Sequence, residues 1–274
     1  MLVDRFGRPV KNLRISVTGE CNFNCIFCHK EGYSPSLCTR NEGELSPEQI
    51  EAIVKVSSKF GIESVKLTGG EPLLRDDIGK IIASLRKYVN DISLVTNGSL
   101  LLEKAKILAE SGLDRANVSL FSLKPERYAE IAGVNGRILK LVLKGIERAR
   151  DAGIKIKINM PVLRDLNTDE IWDIISKGEE MGCNIQLIEY HNPFDFGRFF
   201  FSLKGVEKKL ENVAVRSYRR EMHRRRRFVL RSGIYVEIVR PMFNREFCAH
   251  CTRLRVTCDG FFKPCLFRND NLVK

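Results

Sequence analysis

Short runs of β-branched residues alternate regularly with segments of helical periodicity, and this alternation limits the chain to a few folds. Six runs are typical of strands, and five helical segments lie between them. Ser46 and Pro47 give one helix a capping residue and a first-turn proline, and Gly61 follows its predicted end. The predicted strands are residues 13–18, 64–68, 92–96, 115–120, 155–160 and 185–189, and the predicted helices are 47–60, 77–89, 100–111, 136–152 and 168–181.

Strands that alternate with helices in this way are expected to be parallel. Two layouts fit, a doubly wound open sheet and a partial TIM-type barrel, and in both the ligand-binding residues belong at the carboxyl ends of the strands. Beyond residue 190 the alternation stops, and an aromatic turn, an arginine-rich stretch and a cysteine-rich end predict short antiparallel strands. We therefore predict an α/β domain over residues 1–190 and a β-rich C-terminal extension over residues 191–274.

The nine cysteines are an odd number, and the first residues lack the apolar segment of a secretory signal. Metal binding or redox chemistry is therefore favoured over a disulfide framework, and a cytoplasmic location is expected. No run of 18 apolar residues is present, so no membrane span is predicted. The net charge of +12 predicts an anionic partner, which on composition alone could be a phosphate compound, nucleic acid or an acidic protein.

Three cysteines stand within eight residues directly after the first predicted strand, in the spacing C-x3-C-x2-C: Cys21, Cys25 and Cys28. A 4Fe–4S cluster is usually held by four thiolates, so three would leave one iron open to a small molecule. The alternative is a zinc site with Cys38 or His29 as the fourth ligand. Structural zinc loops usually carry paired C-x2-C motifs, which this segment lacks.

This cysteine loop resembles that of the radical S-adenosylmethionine (SAM) superfamily, in which SAM chelates the open iron and the reduced cluster releases a 5′-deoxyadenosyl radical. The resemblance implies a partial TIM-type (β/α)6 barrel. Gly69 and Gly70 would let the backbone approach a ligand that a Cβ atom would exclude, although a simple turn is the alternative. The SAM contacts implied by the resemblance are Phe27, Gly69, Gly70, Glu71, Asn97, Ser119 and His191.

A second cysteine group near the C-terminus has the spacing C-x2-C-x13-C, formed by Cys248, Cys251 and Cys265. A predicted hairpin that turns at Asp259-Gly260 would carry the third thiol back towards the first two. Zinc ribbons use a similar hairpin, so zinc is again the alternative, with Cys258 or His250 as the fourth ligand.

The full pattern around this group, Phe-Cys-x2-Cys-x-Arg-Leu-Arg followed by Pro-Cys-Leu-Phe, resembles the GTP 3′,8-cyclase family of molybdenum cofactor biosynthesis. The similarity runs from Arg14 to Cys265 and is weakest over residues 190–246. It implies a second 4Fe–4S cluster whose open iron binds guanine, with Arg253 and Arg255 also acting in catalysis. Arginine offers paired donors that match phosphate. The implied GTP contacts are Arg14, Lys66, Thr96, Lys157, Arg253, Leu254 and Arg255.

The resemblance also implies the reaction. The adenosyl radical abstracts hydrogen from C3′ of the GTP ribose, and the carbon radical attacks C8 of guanine to give (8S)-3′,8-cyclo-7,8-dihydro-GTP. The implied partners are an electron donor and the downstream cyclic pyranopterin monophosphate synthase, and the oligomeric state, with a homodimer among the options, stays open. Nucleic acid is not expected, since no stacking aromatics are interleaved in the basic stretch between Tyr218 and Phe228.

Several positions depart from the family pattern. Cys258 stands where many members have a small residue, Gln186 replaces a frequent basic residue, and His191 replaces a frequent Met. The Gly-Gly tail of bacterial members is missing, which leaves an archaeal-type protein and a truncated one as alternatives.

Eight arginines fall within residues 216–231. They fit a solvated face, or a surface that steers GTP or docks an acidic partner. Two rival functions remain: another radical SAM enzyme whose second cluster serves peptide modification or electron relay, and a zinc-stabilised nucleic-acid binder.

Overall fold

The computed structural model describes residues 1–29, 43–192, 195–242 and 244–274. Cys38, the alternative zinc ligand, and residues 193 and 194 of the aromatic turn lie outside these ranges. The strands are β1 (Asn12–Ser16), β2 (Ser64–Thr68), β3 (Asp91–Thr96), β4 (Arg115–Ser119), β5 (Lys155–Val162), β6 (Asn184–Glu189), β7 (Arg216–Arg219), β8 (Arg226–Val229), β9 (Tyr235–Val239), β10 (Arg253–Val256) and β11 (Phe262–Lys263). The helices are α1 (Pro47–Lys59), α2 (Ile78–Leu85), α3 (Leu101–Glu110), α4 (Pro125–Ala132), α5 (Ile138–Asp151), α6 (Ile171–Glu180), α7 (Phe196–Phe199), α8 (Lys204–Val213) and α9 (Arg245–Ala249).

The six predicted strands form β1 to β6, and they are parallel and adjacent in chain order. Sequential order is that of a barrel wall, whereas a doubly wound sheet reverses its order at a switch point. The partial TIM-type barrel is therefore confirmed. The described strands form one sheet of eleven, in the order β11-β10-β1-β2-β3-β4-β5-β6-β9-β8-β7.

Local sequence signals account for the helix that follows β1. The Ser46 hydroxyl accepts a hydrogen bond from the Gln49 amide at 3.2 Å, and the Gln49 side chain accepts one from the Ser46 amide at 2.8 Å. This capping box, with Pro47 in the first turn, starts α1 as predicted. Ile50 and Val54 bury the apolar face of α1, so the helix packs on the outside of the sheet.

The C-terminal region differs from the predicted set of short antiparallel strands. β9 pairs in parallel with β6, and β10 pairs in parallel with β1. Of the C-terminal strands, only β7, β8 and β11 have exclusively antiparallel neighbours. An open six-stranded sheet has unpaired backbone groups along both edges, and the C-terminal region covers both of them. The sheet is therefore continuous across residue 190.

Polar and apolar residues alternate along the parallel strands. On β1, Leu13 and Ile15 are buried on the helix-covered face, and Arg14 lies between them on the other face. The inner face of the partial barrel is consequently lined by charged and amide side chains rather than by an apolar core. Within the described ranges, no helix is both long and apolar enough to cross a bilayer.

Candidate active site

The first cysteine loop follows β1 and lies against α4. The Asn24 amide donates to Ala132 O at 3.0 Å, and the Ile26 amide donates to Ile131 O at 3.1 Å. Phe23 is buried edge-on against Tyr128, with ring centroids 6.4 Å apart. The sequence analysis placed no helix over residues 125–132, so this support for the loop was missed.

The three thiols of the first loop lie close enough to influence one another. Burial, with a further contribution from the neighbouring Cys28 and Cys21, raises the pKa of Cys25 to about 12. Three sulfur donors that share one space fit the ligand set of an iron–sulfur cluster, which stabilises the thiolate form. Among the described residues, no three Cys, His, Asp or Glu side chains converge on a single metal ion, and the zinc alternative through Cys38 stays a prediction because Cys38 lies outside these residues.

Gly69 and Gly70 face the backbone that leads into the first cysteine loop. A Cβ atom on Gly69 would lie 2.4 Å from Thr18 O, and one on Gly70 would lie 2.0 Å from Glu20 O. The Gly70 amide donates to Thr18 O at 2.9 Å. The space that these glycines leave free is therefore filled by the chain itself. Their contact with SAM stays a prediction.

Glu71 joins the loops that follow β2 and β3. Its buried carboxylate accepts hydrogen bonds from the Leu73 amide at 3.0 Å, the Thr96 hydroxyl at 2.7 Å and the Asn97 amide at 2.6 Å. Burial raises the pKa of Glu71 to about 7, against the opposing effect of these hydrogen bonds. The Thr96 hydroxyl, predicted to contact GTP, is engaged with Glu71 in this structure. The side-chain amide of Asn97 donates to Asn22 Oδ1 at 2.8 Å and so reaches the first cysteine loop.

The remaining predicted SAM residues also lie at the carboxyl ends of strands. Ser119 ends β4 and is half-buried, and Phe27 packs edge-on against Phe121 at 5.2 Å between centroids. The His191 ring lies 4.9 Å from the His29 ring and 5.6 Å from the Phe267 ring. His29 follows Cys28 and Phe267 follows Cys265 by two positions, so this aromatic contact joins the two cysteine-bearing segments.

The predicted GTP-binding cations stand side by side on neighbouring strands. Arg14 of β1 is in register with Lys66 of β2 and with Arg255 of β10. Arg14 donates to the Thr68 hydroxyl at 3.3 Å, and Lys66 donates to the Asn117 side-chain oxygen at 3.4 Å. This row, Arg255–Arg14–Lys66, is hereafter called the cation wall.

The cation wall faces the same interior as Lys157 and Arg253. Burial lowers the pKa of Lys66 well below its usual value, and the charges of neighbours that include Arg14, Lys157 and Arg253 add to the effect. Burial also lowers the pKa of Arg253, followed by the charges of Arg255 and Arg14. Such mutual depression indicates a cavity whose positive charge favours an anionic ligand. Leu254 alternates with the two arginines and packs against the apolar core, so a GTP contact from its side chain is not favoured.

The second cysteine group brackets β10 and β11. Asn244 caps α9 by accepting from the Phe247 amide at 3.2 Å, and the Cys251 amide donates to Cys248 O at 3.1 Å. Burial raises the pKa of Cys248, and the nearby Cys251 and Cys265 add to it. These three thiols therefore also share one space. Cys258 is fully buried, whereas Cys248 and Cys265 are exposed.

Sequence reasoning did not single out Glu237 of β9. Its carboxylate is completely buried and is surrounded by Arg225 at 2.8 Å, Arg227 at 2.6 Å, Lys157 at 3.5 Å and Arg220 at 3.6 Å. Burial raises the pKa of Glu237, but the four cations lower it more, to well below its usual range. An acidic residue in an alternating strand looks solvent-facing in sequence, so no local signal could have found it.

The arginine-rich stretch is divided between the two faces of the sheet. Arg220, Arg225 and Arg227 point to Glu237 on the inner face. Arg226 pairs with Glu207 and Glu211 of α8 on the outer face. Arg220, Arg225 and Arg227 thus pair with Glu237 in the interior and do not form a solvated face.

Two family models cover almost the whole chain. The model of the Radical SAM superfamily matches residues 15–177, and the model described as Molybdenum Cofactor Synthesis C matches residues 183–274. The open barrel and the cysteine loop after β1 thus agree with the first family, and the second cysteine group falls within the second match.

Curated relatives match from end to end. The chain is 51% identical to a "Probable GTP 3',8-cyclase" of Thermococcus kodakarensis, over 100% of this chain and 90% of that protein. It is 47% identical to the protein of the same name from Pyrococcus abyssi, with the same coverage. The chain belongs to the radical SAM superfamily and, within it, to the family of these GTP 3′,8-cyclases.

Solved structures support the fold. SuiB of Streptococcus suis bound to S-adenosylmethionine superposes with a TM-score of 0.74 at 17% identity, over 97% of this chain and 63% of that one. Native anSMEcpe with bound AdoMet superposes with a TM-score of 0.55 at 23% identity, over 73% of this chain and 58% of that one. This chain thus spans less than two thirds of either neighbour, and the similarity concerns the fold alone.

Proposed function

We propose that this protein is a radical SAM enzyme that converts GTP to (8S)-3′,8-cyclo-7,8-dihydro-GTP, the first step of molybdenum cofactor biosynthesis. The observation that carries the proposal is the position of the cation wall. Arg14 precedes the first cysteine loop on β1, and Arg255, on the adjacent strand β10, lies between Cys251 and Cys265 of the second cysteine group. A nucleotide bound there lies between the two groups of thiols.

The residues present fit the cofactors that this reaction needs. Cys21, Cys25 and Cys28 would hold a 4Fe–4S cluster that leaves one iron for SAM, and the loops after β2, β3, β4 and β6 would contact SAM. When bound, this cluster and SAM supply a 5′-deoxyadenosyl radical. Cys248, Cys251 and Cys265 would hold a second 4Fe–4S cluster towards the guanine. An electron donor and a downstream cyclic pyranopterin monophosphate synthase complete the proposed set of partners.

The chain's own side chains would bind and orient GTP. Arg253 and Arg255 offer paired donors to phosphate oxygens, and Lys66 and Lys157 add point charges. Burial lowers the pKa of Lys157 to about 7, so a bound phosphate would restore its charged form. Holding the ribose and the base against the radical source, out of water, is the contribution that the protein makes to the rate.

The direct test is anaerobic incubation of reconstituted protein with SAM, dithionite and GTP, with products identified by mass. We expect cyclised GTP and 5′-deoxyadenosine, together with about eight irons per chain. Two zincs in place of iron would overturn the proposal, and 5′-deoxyadenosine without any GTP binding would favour the rival peptide-modifying enzyme.

A pair of substitutions distinguishes the proposed roles of the two cysteine groups. Cys25→Ser should abolish SAM cleavage, because three thiolates are needed to hold the first cluster. Cys265→Ser should leave SAM cleavage uncoupled from GTP and yield no cyclised product. Cys183→Ser is the control, since the buried Cys183 thiol lies outside both groups and donates only to Met181 O at 3.4 Å. Equal SAM turnover in Cys25→Ser and Cys265→Ser would contradict this division.

A further inference from the structure

The inner face of the sheet from β5 onwards carries a buried group of cations, of which the family resemblance assigns only Lys157. Arg220, Arg225 and Arg227 come from the segment around β7 and β8, and they surround Glu237 together with Lys157. The exposed fractions of these side chains are 27%, 9% and 17% for the arginines and 9% for Lys157, against 0% for Glu237. The group is thus largely removed from water.

One carboxylate does not balance four cations. A surplus of buried positive charge is costly unless further acceptors or an anion join it. The pKa values reflect this cost, since burial lowers the pKa of Arg225 to about 10 and that of Lys157 to about 7 despite the presence of Glu237. The group is therefore short of negative charge.

Within this group, Arg225 has a hydrogen-bond donor that is not used. One of its terminal nitrogens lies 2.8 Å from Glu237 and donates to the Gln186 side-chain oxygen at 3.3 Å. Its Nε atom is buried and has no hydrogen-bond partner among the described residues. Buried N–H donors are nearly always satisfied in native proteins, so an unsatisfied one indicates an absent acceptor.

The Arg225 side chain reaches a position on β6 that carries no charged residue of its own. Gln186 of β6 is in register with Asn159 of β5 and with Glu237 of β9, so β6 presents an amide there rather than a charge.

We propose that Arg225 is a substrate-binding residue that contacts the phosphate groups of GTP and supplies, from the segment between β7 and β8, the cation that β6 lacks. The inference rests on the proposed function and adds one residue to its phosphate site. Glu237 holds the guanidinium in place, and the free Nε donor gives Arg225 a second hydrogen bond to offer a phosphate oxygen.

The test compares nucleotide affinities of cluster-loaded protein under anaerobic conditions, with GTP, GDP and GMP as probes. Arg225→Gln should weaken GTP binding by about 10- to 100-fold, as expected for the loss of charge-assisted hydrogen bonds, and GMP binding by much less. Arg231→Gln is the matched control, because Arg231 is an arginine of the same stretch whose side chain is exposed on the surface. A GTP affinity within twofold of the native protein in Arg225→Gln would overturn the inference.

A charge relocation makes the test specific. The double variant Gln186→Arg with Arg225→Gln moves the cation onto β6 and should recover most of the lost GTP affinity, whereas no recovery would contradict the proposed position. If Arg225→Gln does not fold, Arg225→Lys carries the test, since it keeps the charge but loses the paired donors. Native protein that binds no GTP would instead refute the proposed function, so the two failures are distinguishable.

Discussion

The two sides of the barrel interior carry positive charge in different ways. On the cation wall, Lys66 donates to a neutral group, the Asn117 side-chain oxygen. On the opposite side, the arginines after β7 are organised on the buried Glu237. A neutral partner orients a cation and leaves its charge for a ligand, whereas a carboxylate also lowers the cost of burying it. The first side should therefore contribute mostly to binding, and the second to both binding and stability.

The largest expected effect is the loss of Glu237. Glu237→Gln leaves the surrounding cations without their carboxylate, which should lower the free energy of unfolding by about 3–5 kcal/mol. Urea unfolding followed by circular dichroism measures this. Glu48→Gln is the control, because Glu48 pairs with Lys80 on the surface, where both side chains are exposed and an ion pair contributes little to stability. Equal losses in the two variants would remove the distinction between the two sides.

A substitution on the cation wall should have the opposite effect: GTP affinity should fall, whereas stability should not. Lys66→Met removes a half-buried cation whose pKa is lowered by burial and by neighbouring positive charges, so the free energy of unfolding should stay the same or rise. GTP affinity should fall by about 10- to 100-fold through the lost phosphate contact. Parallel unfolding and binding measurements check both, with Lys80→Met as the exposed control. A fall in stability comparable to that of Glu237→Gln would break the comparison.

The smallest expected effect is a proton taken up at Lys157. With a pKa of about 7, Lys157 is half protonated at neutral pH, and a bound phosphate favours its charged form. Binding of GTP should therefore take up a fraction of a proton near pH 7, and affinity should fall as the pH rises from 7 to 8. Calorimetry in buffers of different ionisation enthalpy measures the uptake. Lys157→Met should abolish it, and an unchanged uptake would assign the proton elsewhere.

Local patterns predicted the parts of the fold that local physics determines. The six barrel strands and the capped helix α1 follow from β-branched runs and from Ser46-Pro47, whose effects act within a few residues. The helix α4 was missed although Pro125 opens it and Gly133 ends it with a φ of +65°. Those two residues were a usable signal.

The rest depends on contacts between distant parts of the chain. The pairing of β10 with β1 joins residues about 240 positions apart, and nothing in the sequence of either strand states that register. Glu237 looks like the outward residue of an amphipathic strand until β9 adds to the barrel and its face becomes interior. The cysteine spacings predicted two groups of neighbouring thiols, but not that Arg220, Arg225 and Arg227 would gather around Glu237.

The ladder between β1 and β10 also sets the separation of the two cysteine groups. β1 leads into the first cysteine loop and β10 follows Cys251 of the second group, so backbone hydrogen bonds fix the spacing between the two groups of thiols. A slip of β10 by a single residue would turn Arg253 and Arg255 to the helix-covered face and bring Leu254 to the nucleotide. Insertions in this strand should therefore be far less tolerated than insertions in the loop that precedes it.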